Sequence, residues 1–127
     1  MNRGETSSHS RGPVLALTAD LLFASRVKST AAAVGTDLVL VRTADEMLRQ
    51  AAQLSPRLIV IDLDIRTLNP IDLITRLKAD PASSKPPVLA YVSHVREDLI
   101  GAARDAGVDQ VMARGAFSKN LASILSA

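Results

Sequence analysis

Apolar and polar positions along the 127-residue chain fall into two alternating patterns. One is a short unbroken apolar run, and its clearest case is Leu58-Ile59-Val60-Ile61, which ends on Asp62. A strand with one wet face would alternate apolar and polar residues. An unbroken run therefore predicts a central parallel strand covered on both faces. Val14 to Leu17, Leu38 to Val41, Val88 to Val92 and Val108 to Ala113 read as four further strands. The other pattern is helical spacing. Phe23, Val27, Ala31 and Val34 recur at intervals of four, four and three, and Gly35 ends that helix because glycine takes the left-handed terminal conformation without steric cost. Ala44, Met47, Leu48 and Ala51 give a second helical face, opened by the capping-box spacing of Thr43 and Glu46. Asn69 predicts an N-cap, with Pro70 at the first position of a third helix carrying Ile71, Leu73, Ile74 and Leu77. Val95, Leu99, Ala103 and Ala106 form the face of a fourth helix, ended by Gly107. Ser118 is placed to cap a last helix with Leu121, Ala122, Ile124 and Leu125.

Five strands alternating with five helices predict an α/β domain with a parallel sheet and helices on both faces. Asp62 then stands at the carboxyl end of the central strand, the edge where open α/β sheets place binding and chemistry. Residues 13–127 read as one domain. Residues 1–12 are polar, with Ser7, Ser8 and Ser10 clustered, and read as a flexible tail; they lack the apolar segment of a secretory signal.

Composition narrows the chemistry. Cysteine is absent, which excludes disulfides, thiolate metal sites and a cysteine nucleophile, and fits a cytoplasmic location. No apolar run approaches the length of a membrane span. The net charge of +2 comes from fifteen basic and thirteen acidic residues that are scattered, without the one-sided cluster that nucleic acid would need. His9 lies in the tail and His94 in a loop, and neither has a partner at a suggestive spacing. No glycine-rich phosphate loop, Walker pattern or His-Glu-x-x-His is present.

The stretch from Pro56 to Lys78 resembles the receiver domain of response regulators, the phosphoacceptor module of two-component signalling. Pro56, Leu58 to Ile61, Asp62, Leu63, Leu73, Ile74 and Leu77 stand in the family's register without a gap. Ala79-Asp80-Pro81, Pro87-Val88 and Ala106-Gly107 are similar to its later connections, so the resemblance spans Pro13 to Ala127. It implies a flavodoxin-like, three-layer (βα)5 fold with sheet order 2-1-3-4-5, found in bacterial signalling.

The resemblance also implies a site. In the family an Asp accepts the phosphoryl group, Mg²⁺ is held by that Asp and an acidic pair after the first strand, and a Lys and a Ser or Thr hold phosphate oxygens. Asp62 matches the acceptor. The acidic pair falls on Thr18 and Ala19, the hydroxyl on Val92, the Lys on Arg114 and the fifth-strand aromatic on Val111. A one-residue slip would bring Asp20 into the acidic pocket, and another would bring Ser93 to the hydroxyl position; each needs an insertion that the apolar spacing does not ask for. Asp64 reads as loop surface, and Asp62 alone is a weak metal site. Arg114 is expected to bridge Asp62, since a guanidinium suits bidentate pairing with a carboxylate.

These residues imply a stand-alone, atypical pseudo-receiver. It is not an enzyme and needs no cofactor, and it binds a signalling partner through the fourth helix, fifth strand and fifth helix. A working phosphoacceptor at Asp62, using Mg²⁺, is the alternative. A third reading is a small-molecule-binding flavodoxin-like domain, which would need a sizeable apolar pocket near Asp62.

Overall fold

The computed structural model describes residues 12–93 and 96–127. In chain order the elements are β1 (Val14–Leu17), α1 (Leu21–Ala33), β2 (Leu38–Val41), α2 (Ala44–Leu54), β3 (Leu58–Asp62) and α3 (Pro70–Ala79). They continue with β4 (Val88–Val92), α4 (Glu97–Asp105), β5 (Gln110–Ala113), α5 (Arg114–Lys119) and α6 (Leu121–Ser126). All strand pairs are parallel, and the sheet order is β2-β1-β3-β4-β5, as expected. Among the described residues, no helix is long and apolar enough to cross a membrane. The expected tail is outside the described residues apart from Gly12, as are His9, His94 and Val95.

The period-two geometry of a strand sends successive side chains to opposite faces, and the two faces have different cores. Leu15, Leu17, Ile59, Ile61, Val88, Ala90 and Val92 meet α2, α3 and α4 in an aliphatic layer with Met47, Leu73, Leu77 and Ala103. Val14, Ala16, Val60, Leu89 and Tyr91 meet α1, α5 and α6, where Phe23, Phe117, Leu121 and Leu125 are buried. All three aromatics of the chain are therefore on the second face. At the amino edge, Arg57 at the entry to β3 donates to the Thr36 hydroxyl at 3.1 Å and to the Leu125 carbonyl, tying α6 to the sheet.

Local signals place most boundaries. Asn69 accepts the Asp72 N–H at 3.0 Å with Pro70 in the first turn, and Thr43 accepts the Glu46 N–H at 3.0 Å. The Glu46 carboxylate reaches back to the Arg42 N–H rather than to that of Thr43. Gly35 takes φ +74, beyond the end of α1.

Two expectations are corrected. The last helix begins at Arg114 rather than beyond Ser118, and Asn120 (φ −104, ψ 15) divides it into α5 and α6, giving six helices among the described residues. Phe117, Leu121 and Leu125 keep one four-residue spacing across that break, so burial of Phe117 draws the preceding segment into a helix. β5 starts at Gln110 rather than Val108. Gly107 turns at φ +104, and Asp109 spends its carboxylate on the Val88 N–H (2.7 Å) and Lys78 (2.8 Å). The described part of the fourth helix starts at Glu97, after Arg96.

Candidate functional site

Strand register sets the site. Asp62 is the last residue of β3 and pairs with Tyr91 of β4, while Leu17, the last residue of β1, pairs with Ile61. The turn leaving β1 therefore passes directly over Asp62. Asp20 stops that turn as the N-cap of α1, its Oδ1 accepting from Leu22 N (2.9 Å) and Phe23 N (3.1 Å). This holds the Ala19 N–H 3.3 Å and the Thr18 hydroxyl 3.4 Å from Asp62 Oδ2. On the other side the Asp64 N–H donates to Asp62 Oδ1 at 2.8 Å, the local turn that aspartates favour.

Asp62 is 5% exposed, and each of its oxygens faces donors from the chain itself. Burial pushes its carboxyl above the ordinary carboxylate range; the Asp64 and Ala19 N–H groups pull the other way without cancelling the shift. The hydrogen bonds continue inward. The Tyr91 hydroxyl donates to Thr18 Oγ1 at 2.8 Å, and Thr18 donates to Asp62. The Tyr91 ring stacks on Phe117 (centroids 4.9 Å apart, 10°) and meets Phe23 edge-on at 5.3 Å. Loss of solvent raises the phenol pKa well above its usual value, so Tyr91 stays a neutral donor.

Arg114 does not bridge Asp62. Its Nη2 lies 2.6 Å from Asp20 Oδ2, and its guanidinium sits 4.5 Å from the Phe23 ring centroid. The reason is availability: Asp20 uses one oxygen as a helix cap and keeps the other accessible, whereas both Asp62 oxygens already have donors. The Arg114 hydrogen bond, followed by the Phe23 N–H, holds the Asp20 carboxyl below its usual range. The remaining positions separate. Val92 is buried in the aliphatic layer and Val111 packs at its margin. Ser93 is exposed and contributes only its backbone N–H, which donates to Asp64 Oδ2 at 2.7 Å.

The donor set does not fit Mg²⁺, which needs oxygen acceptors in near-octahedral array. Ala19 and Thr18 direct N–H and O–H donors at Asp62, Asp20 is committed to a cap and an arginine, and Asp64 accepts from Ser93. Among the described residues, no group of three or more Asp, Glu or His side chains could hold a metal ion.

Sequence reasoning missed Tyr91 as a site residue. A signal was present: a phenol inside an apolar strand must find a hydrogen-bond partner, and this one stands a single residue before the expected hydroxyl position.

No protein-family model matches the chain, and no curated protein matches it. Solved structures do resemble it. The phosphorylated cyanobacterial phytochrome response regulator RcpA aligns with a TM-score of 0.71 at 25% identity, over 91% of this chain and 89% of that one. The chemotaxis response regulator CheY4 of Vibrio cholerae aligns at 0.77 and 14% identity, over 90% and 95%. A CheY-like receiver domain from Methanospirillum hungatei aligns at 0.75 and 15% identity, over 89% of each chain. With its five parallel strands in order 2-1-3-4-5 and its aspartate at the end of β3, the chain has the CheY-like, flavodoxin-like fold of response-regulator receiver domains.

Proposed function

We propose that the chain is an atypical receiver, a protein-interaction module of two-component or phosphorelay signalling that works without ordinary Mg²⁺-dependent phosphorylation of Asp62. The observation that carries this reading is the occupancy of Asp62. Its oxygens face the Asp64 N–H, the Ala19 N–H and the Thr18 hydroxyl, while Arg114 pairs with Asp20. A phosphoryl group there would add negative charge beside Asp64, while Arg114 is already paired with Asp20. Two unit charges about 4 Å apart repel by roughly 4 kcal/mol at an effective dielectric of 20. The hydroxyl and aromatic that move in the family's two-state switch correspond to Val92 and Val111, which are apolar and packed against α3 and α4.

As a non-catalytic module in a bacterial cytoplasm, the protein would act by association. The proposed contact surface is α4, the edge strand β5 and the helices to Leu125. Val111 and Met112 are only half-buried on that edge. Leu21 and Leu22, 80% and 85% exposed at the start of α1, add apolar surface beside Asp20.

The test is intact-mass measurement after incubation with acetyl phosphate and Mg²⁺, with Asp62→Asn and an ordinary receiver alongside. The proposal expects labelling of the ordinary receiver only. A phosphoryl adduct on the wild type that Asp62→Asn abolishes would make the chain a working phosphoacceptor instead.

A further inference from the structure

A cleft of about 830 Å³ opens on the carboxyl edge of the sheet beside Asp64, between the loop from β3 to α3 and the start of α4. That is within the range of small-molecule sites. Its walls combine two chemistries. Leu63 and Ile65, both buried, form an apolar base, and Ile71 and Leu99 extend it up the sides. Arg66 and Arg96 stand at the rim. Arg66 makes no ion pair among the described residues. Among the described residues Arg96 pairs with Asp98, at 3.1 Å, through side chains 52% and 71% exposed, a contact weak enough to be exchanged. Asp64, in the wall, accepts the Ser93 N–H at 2.7 Å, and its charge directs an anionic group away from the base and toward the two arginines at the rim.

We propose that this cleft binds a small organic acid, its apolar body against Ile65, Ile71 and Leu99 and its carboxylate at Arg66 and Arg96. The planar guanidinium fork suits a carboxylate, and the aliphatic base suits a ring or branched chain. An apolar neutral molecule would gain nothing from the two rim guanidiniums, and a small inorganic anion would leave the aliphatic walls wet. The site does not use the Asp62 carboxylate, so it stands whether or not Asp62 takes a phosphoryl group.

The probe is 1-naphthaleneacetate, compared with its neutral isostere 1-naphthaleneacetamide and with acetate, by calorimetry and amide NMR on the full chain. Saturable binding of the naphthaleneacetate is expected, with shifts centred on Ile65, Arg66, Ile71 and Leu99. The amide and acetate should bind at least about tenfold more weakly, the loss expected for a charge-assisted hydrogen bond. The double variant Arg66→Gln, Arg96→Gln should weaken the acid by a similar factor, and Lys119→Gln, distant in sequence and exposed, should not. Both rim arginines are exposed, so the variants keep the fold, which the NMR spectrum verifies. No saturable binding at millimolar probe, equal affinity for acid and amide, unchanged affinity in the double variant, or shifts centred elsewhere would each overturn the proposal.

Discussion

Asp20 and Asp62 lie on the same edge of the sheet and both accept backbone N–H groups, yet only Asp20 has an arginine. Asp20 is half-exposed on the α1 side and offers Arg114 an oxygen that its capping role leaves accessible. Asp62 is buried beneath the turn that Asp20 caps, and the same turn supplies two of its donors. A cation near a carboxylate goes to the oxygen it can reach without desolvation. Arg114 also lies over Phe23, so pairing with Asp20 keeps both contacts. In this chain the capping aspartate has taken the positive charge, and the strand-end aspartate is held by neutral donors.

The largest expected effect comes from the aromatic face that links the two. Phe117→Ala would remove a fully buried ring stacked on Tyr91 and cost about 3–5 kcal/mol by denaturant unfolding. A loss well below that would mean that the face collapses readily around the gap. Tyr91→Phe keeps the ring and deletes the hydroxyl bonded to Thr18. Stability should fall by about 1 kcal/mol, with the Asp20 titration unmoved. An equal shift at Asp20 would show that the two aspartates are not separately held.

Arg114→Gln should act on Asp20 first. Carboxyl-carbon NMR should show the Asp20 midpoint rising toward its ordinary value of 3.8, by more than any shift at Asp62, and the effect should shrink in high salt. The reverse order would restore the Arg114–Asp62 bridge expected from sequence.

The smallest effect is the opposed pH dependence of the wild type. Asp62 binds its proton more tightly folded than unfolded. Its contribution to stability is therefore fully present below 3.8 and lost as pH rises through a folded midpoint above 3.8. Asp20 binds its proton less tightly when folded. Its contribution is present above 3.8 and lost as pH falls through a folded midpoint below 3.8. Two midpoints on the same side of 3.8 would contradict the contrast.

The fold was readable because the apolar runs and spacings are strong: β1, β2, β3 and β4 have the bounds the pattern predicts, and Asn69 and Thr43 cap as expected. The C-terminal segment was less readable. Phe117 belongs to the same buried stripe as Leu121 and Leu125, but a serine at 118 resembles a cap when the stripe is not followed backward. At the site, linear position identified the residues but not their pairing. Arg114 and Asp20 lie 94 residues apart, and only the three-dimensional path of the β1 turn decides which carboxylate keeps an accessible oxygen. Tyr91 was passed over because the family comparison directs attention one residue later, to Val92.

The central claim is that Asp62 is enclosed by donors rather than prepared for a cation. The most direct measurement is a Mg²⁺ titration followed at the backbone amides of Ala19, Asp62 and Asp64. The account predicts no saturable shift at any of the three through millimolar Mg²⁺. A saturable change centred on those amides and removed by Asp62→Asn would contradict it.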